Sequence, residues 1–265
     1  MSGLDSVFAQ TRSEGRAALI GYLPAGYPTV DGSKDLLAAM IDGGADLVEV
    51  GVPYSDPVMD GPTIQAAADA ALRNGFRLRQ VFDVVESISS RGGRAVVMTY
   101  WNPVHRYGVD AFARDLASAG GHGLITPDLI PDEAEEWLAA STEHGLDRIF
   151  LVAPSSSEER IDRTVRASSG FVYATAVMGV TGARDQVGSG AAELVRRTRA
   201  HTGLPIGVGL GVRSAEQAAE VASFADAVIV GSAFVSKGVE GAEAVQSLAA
   251  ELAAGVRAKQ PQRLK

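Results

Sequence analysis

Apolar residues in this chain gather into short blocks that recur down its length, separated by longer stretches in which they fall at helical spacing. The blocks are AALIGYL from Ala17, ADLVEVG from Ala45, RAVVMTY from Arg94, GLITPD from Gly123, DRIFLVAP from Asp147, GFVYATA from Gly170, LPIGVG from Leu204 and ADAVIVG from Ala225. Most open with Gly or Asp and close with Gly, Pro or Ser, and most are apolar almost throughout. That is the signature of parallel strands buried on both faces. The intervals carry apolar stripes at three- and four-residue steps: Leu36, Leu37, Met40 and Ile41; Phe112, Leu116 and Ala119; Ala134, Trp137, Leu138 and Ser141. Each stripe predicts a helix with one buried face.

Eight β–α units predict an α/β fold, a single (β/α)8 barrel domain over residues 1–265 with extra helices, notably after the second strand. A short polar tail is expected at about residues 257–265, where RAKQPQRLK has no apolar period. The structural alternative is an open doubly wound sheet. It usually has fewer strands and a GxGxxG first turn, whereas the first turn here reads GYLPAGYP. Two connections are long: Gly51 to about Arg94, and the segment holding MGVTGARDQVGSG from Met178 to Gly190. In a barrel the loops after the strands form the active face, so length there points to function.

Composition narrows the field. With 265 residues, 46% of them hydrophobic, the chain can bury a large core. A net charge of −8 with both signs interspersed gives no broad attraction for nucleic acid or anionic lipid. Backbone N–H groups can still bind an anion locally. The absence of cysteine excludes disulfides, thiolate nucleophiles and cysteine-ligated metals. No secretory leader and no apolar run approaching ~18 residues is visible, so a soluble cytoplasmic protein is expected.

Glu49 is the first candidate for chemistry. It lies among Leu47, Val48 and Val50 near the end of the second run, where an ionised carboxylate is costly unless paired, hydrated or protonated. Either it faces the barrel mouth as an acid–base group with a raised pKa, or a neighbouring Lys, Arg or backbone group satisfies it. Asp56 and Asp60 follow in VPYSDPVMDGPTIQ. Either can cap a helix, and Asp60 can instead share acid and base duties with Glu49.

Glycine-rich turns follow each of the last three runs: VTG at Val180–Gly182, GLG at Gly209–Gly211 and GS at Gly231–Ser232. They are either ordinary turns or the rim of a phosphate site built from main-chain N–H groups, with Ser232 adding a hydroxyl or capping the next helix. His105, His122, His144 and His201 are dispersed and suggest no metal centre. No GxSxG elbow appears, Ser155–Ser157 reads as a capping turn, and Lys34 and Lys237 read as helix residues, which leaves Schiff-base chemistry without support. The remaining reading is a phosphate binder with two carboxylates. Its rivals are a flavin-phosphate oxidoreductase, a sugar-phosphate isomerase, and a barrel that only activates a partner.

The segment LVEVGVPYSDPVMDGPTIQAA closely resembles the signature of the tryptophan synthase alpha subunit family. Agreement extends over nearly the whole chain, through FAQ near the start, YWNPV at Tyr100–Val104, PDLIPDEA from Pro127, GVTGAR from Gly179, GLGV and GSAFV. The resemblance implies retro-aldol cleavage of indole-3-glycerol phosphate to indole and glyceraldehyde 3-phosphate, with Glu49 and Asp60 as the catalytic pair. It places Tyr22, Tyr173 and Thr181 against the substrate, and Gly182, Gly211, Gly231 and Ser232 around its phosphate. It implies no cofactor or metal in this subunit, and a pyridoxal-phosphate beta subunit as partner in an alpha2beta2 heterotetramer that receives the indole. One departure is visible: the family often carries Arg in the loop before GVTG, where this chain has Val177 and Met178.

Overall fold

The computed structural model describes residues 3–176, 189–209 and 211–258. All eight apolar runs form parallel strands: β1 (Ala18–Pro24), β2 (Leu47–Gly51), β3 (Ala95–Met98), β4 (Gly123–Ile125), β5 (Asp147–Ile149), β6 (Leu151–Val152), β7 (Val172–Thr175), β8 (Ile206–Gly209) and β9 (Ala227–Val230). The fifth run supplies two segments, β5 and β6, divided at the buried Phe150. The hydrogen-bonded order is β5-β4-β3-β2-β1-β9-β8-β7-β6. Its two ends are consecutive pieces of one stretch of chain, so the sheet closes on itself as a (β/α)8 barrel, and the open-sheet alternative falls.

Helices fill the intervals as the stripes predict. The long connection after β2 holds two, α3 (Pro62–Arg73) and α4 (Gln80–Ser89). The chain also has α1 (Gly3–Ser13), α2 (Val30–Asp42), α5 (Trp101–Tyr107), α6 (Val109–Ser118), α7 (Glu135–Glu143), α8 (Glu158–Ala167), α9 (Ser189–Arg199), α10 (Ala215–Ala222), α11 (Ser232–Gly238) and α12 (Ala242–Arg257). Their starts follow local chemistry: Thr29 accepts the Gly32 N–H ahead of α2, and Ser157 accepts the Arg160 N–H ahead of α8. The Ser155–Ser157 turn is therefore a cap, and Lys34 and Lys237 lie in α2 and α11. Among the described residues no helix is long and apolar enough to cross a membrane. Val177, Met178, Thr181, Gly182 and Arg184, and the tail from residue 259, lie outside the described residues.

The period of two along each strand sorts side chains into two cores. Leu19, Leu23, Val48, Val50, Val97 and Val228 point outward and pack under the helices. Ala18, Ile20, Leu47, Val96, Ile125, Ile149, Phe171, Ala227 and Ile229 point into the barrel. Helix α1 closes the lower end, laying Leu4, Val7 and Phe8 into this interior, with the Phe8 and Phe171 rings 5.7 Å apart. Below the strands, Arg16 grips Asp46 with two bonds of 2.8 Å, and Asp46 also accepts the Leu19 N–H. These contacts tie the lower rim together and leave the upper rim for chemistry.

Candidate active site

Because Leu47 faces the interior, the residue two steps along β2 faces it as well, one layer higher. That residue is Glu49. Its side chain is 1% exposed, and neither carboxylate oxygen has a hydrogen-bond partner among the described residues. Among the described residues, then, no cation or backbone group satisfies this carboxylate. Burial alone pushes the Glu49 carboxyl from an ordinary 4.5 up to about 8, so it is protonated at neutral pH.

The strand register sets Tyr22 of β1 beside Glu49. Tyr173 of β7 lies across the interior, close enough to Glu49 and Tyr22 for both to add to the rise in its pKa. Burial is the larger cause in both tyrosines, and it holds both phenols neutral well above their ordinary range. Room for these rings comes from glycine. A methyl group at Gly51 would run into the Tyr22 ring, and one at Gly209 would fall 2.5 Å from the Tyr173 hydroxyl. The upper barrel thus pairs large rings with missing side chains.

Asp60 reaches the same space from the loop between β2 and α3. It does not cap α3, whose N-cap is Gly61 with no side-chain bond. Instead it accepts a 3.2 Å hydrogen bond from the Tyr100 hydroxyl, which itself accepts the Met59 N–H at 3.0 Å. Burial raises the Asp60 pKa and the Tyr100 bond pulls it back down. Asp56 does neither job: it is exposed, takes the Ser55 hydroxyl at 2.5 Å, and stays out of the cavity wall.

Together these residues wall a cavity of about 420 Å³ at the upper end of the barrel. Glu49, Asp60, Tyr22, Tyr173, Gly211, Gly231 and Ser232 all line it, while Thr181 and Gly182 lie outside the described residues. Gly211 has φ +74°, a left-handed backbone that a side chain would strain. Ser232 opens α11 directly after its N-cap, Gly231. By helix geometry the first N–H groups of α11 lack intrahelical acceptors.

Two kinds of residue join the wall without having been singled out from the sequence, and Tyr100, outside it, bears on Asp60. Met98, Leu151, Ile64 and Ile229 give it an apolar lining. Tyr100 orients Asp60, and its position at the upper end of the third run is the one available signal. Arg213 stands just past GLG. Away from the cavity, Asp110, Glu143 and His144 form one surface group of potential metal donors, in which His144 and Asp110 pair at 2.8 Å; nothing connects it to the barrel mouth.

Removing the Tyr100 hydroxyl should show whether it positions Asp60. Tyr100→Phe is expected to lower turnover about 10-fold, the worth of one hydrogen bond to a charged group. Since that bond holds the Asp60 pKa down, its loss should also move the acid limb of the pH–rate profile upward. Kinetics across pH check both; an unmoved limb would make Tyr100 a packing residue only.

Comparisons with known proteins agree with this picture. The tryptophan synthase alpha chain family model matches residues 8–262. The chain is 66% identical to the tryptophan synthase alpha chain of Mycobacterium marinum over 97% of its own length and 95% of the relative's. It is 65% identical to that of Nocardia farcinica, covering 97% and 96%. Among solved structures, Mycobacterium tuberculosis tryptophan synthase superposes with a TM-score of 0.92 at 64% identity, covering 97% of this chain and 99% of that one. The Legionella pneumophila alpha subunit gives 0.86 at 31% identity, covering 97% of both.

Proposed function

Since the chain belongs to the tryptophan synthase alpha chain family, lyases that cleave indole-3-glycerol phosphate, we propose that Glu49 and Asp60 carry that cleavage in the cavity described above. The observation that supports this most is Glu49: a buried carboxyl with no partner among the described residues, protonated at neutral pH, and facing open space beside a second carboxyl.

Glu49 gives its proton to C3 of the indole ring. The electrons for the new C–H bond come from the C2–C3 double bond, with the N1 lone pair moving into N1–C2 and leaving positive charge on the nitrogen. Asp60 accepts the N1–H hydrogen bond and stabilises that charge. The Glu49 carboxylate then takes the proton of the C1′ hydroxyl as the C3–C1′ bond breaks. The bond's electrons restore the C2–C3 double bond, the N1 lone pair returns, and C1′ becomes the aldehyde of glyceraldehyde 3-phosphate. Glu49 ends protonated, as it began, so no outside proton is consumed.

Tyr22 and Tyr173 pack against the indole, and Gly211, Gly231 and Ser232 offer N–H groups and a hydroxyl to the phosphate. Thr181 and Gly182 are assigned to the same ligand from the sequence resemblance. The family implies a beta-subunit partner. In our reading that partner carries pyridoxal phosphate, joins an alpha2beta2 heterotetramer in the cytoplasm, and takes the indole at the upper rim. Val58 and Met59, 76% and 49% exposed beside Asp60, support an apolar docking face there.

Indole release from indole-3-glycerol phosphate by the purified chain, with and without a beta subunit, tests the assignment. Slow release alone and faster release with the partner are expected. A chain that releases none alone, yet still speeds the partner's reaction, would be an activator rather than a lyase in its own right.

A further inference from the structure

Asp60 and an anionic substrate leave the cavity with an unbalanced negative charge. Asp60 stands on the β2 side beside the protonated Glu49, and a phosphate monoester brings close to two negative charges. Main-chain amides and the Ser232 hydroxyl can hold such a group but cannot neutralise it. Arg213 is the one cationic side chain among the described residues that line the cavity.

Its place in the fold suits it to the task. Arg213 follows Gly211 in the loop between β8 and α10, and β1 and β9 separate β8 from the acidic strand β2. The acidic and basic walls are thus set apart around the rim, which gives the space a direction. Gln217 fixes the turn by accepting the Arg213 main-chain N–H at 2.8 Å. The exposed guanidinium has no ion pair or hydrogen bond among the described residues. Arginines nearby in sequence differ: Arg196 is held by Glu193, Arg197 by Glu158 and Arg199 by Asp226.

We propose that Arg213 is a side-chain ligand of the substrate phosphate, a specificity residue that sets which end of the ligand meets the carboxylates. This rests on the reading of the cavity as the indole-3-glycerol phosphate site. A guanidinium offers two parallel N–H donors that match the oxygens of a phosphate, so it supplies geometry as well as charge.

Two ligands separate this role from general packing: 3-(indol-3-yl)propyl phosphate, and the same alcohol without its phosphate. Both are measured by calorimetry against the full chain and three variants, Arg213→Ala, Arg213→Lys and Arg91→Ala. Arg91 lies before β3, at the opposite end of the barrel, so its loss removes the same charge without touching the cavity. Arg213→Ala is expected to weaken the phosphate ligand about 10- to 100-fold and the alcohol less than about 2-fold, as loss of one charged hydrogen-bonding partner predicts. Arg213→Lys should fall between, since it keeps the charge and loses the planar fork, and Arg91→Ala should match the unaltered chain. Equal weakening of both ligands, or an unchanged phosphate affinity in Arg213→Ala, overturns the proposal. If the unaltered chain binds neither ligand in competition with substrate, the cavity reading itself fails, whatever Arg213 does.

Discussion

Glu49→Gln is expected to lower the turnover of indole release by about 10²- to 10⁴-fold, the usual worth of a positioned acid–base group. The amide is nearly isosteric with the protonated carboxyl that burial favours, so the cavity should keep its shape and its affinity for a phosphate-bearing ligand. What disappears is the proton passed to C3 and taken back from the hydroxyl. Burial sets the accompanying pH dependence. With the carboxyl pushed up to about 8, the competent acid is lost as pH rises through that value, and kcat/KM should show an alkaline limb there. Stability follows the same sign. A carboxyl raised in the folded state gives its full contribution below the ordinary 4.5 and loses it as pH climbs through about 8. Glu49→Gln should therefore unfold at a higher denaturant concentration than the unaltered chain above that pH, while the two differ little near pH 5. A variant that turns over at a comparable rate would remove Glu49 from the mechanism.

Asp60→Asn should cost about 10²- to 10³-fold in turnover, as does removal of a group aimed at charge that develops only in the transition state. An amide can still accept the N1–H, but it offers no negative charge to the iminium nitrogen. Ground-state binding should change far less than kcat, because the neutral indole N–H asks little of its acceptor. The Tyr100 hydroxyl would still find an oxygen, so the loop need not rearrange. Steady-state kinetics with a substrate whose ring nitrogen is methylated offer an independent reading. The unaltered enzyme should discriminate strongly against that substrate, and the Asp60→Asn enzyme much less. Loss of binding rather than of kcat in Asp60→Asn would make the residue a positioning group for the loop.

Much of this was legible before any coordinates, for definite reasons. A strand buried on both faces has no polar positions to spare, so a Glu within LVEVG stands out, and the period of two then fixes which way it points. Closure of the barrel could be counted from the runs alone, because eight strands of this kind leave few other architectures. The split of DRIFLVAP at Phe150 was invisible, since an apolar letter in an apolar run says nothing about a break in pairing. Asp60 was ambiguous for a related reason. Asp ahead of Gly-Pro-Thr reads equally well as a cap, and only the fold shows that Asp60 leaves the cap to Gly61 and accepts the Tyr100 hydroxyl, forty residues further along the chain. Arg213 could not be told from any solvated arginine until the fold set it on the rim opposite two carboxylates. Local spacing carries strand direction and helix faces; it does not carry which loops meet.

The packing beneath Glu49 has a consequence for traffic. Phe8, Phe171, Ile20 and their neighbours pack the lower barrel with hydrocarbon, a poor path for protons from below. The open route to the acid, for solvent, ligand or hydronium, is the cavity at the upper edge. A subunit seated on that edge would then govern more than the escape of the heterocycle: it would also decide when the acid can equilibrate with bulk pH.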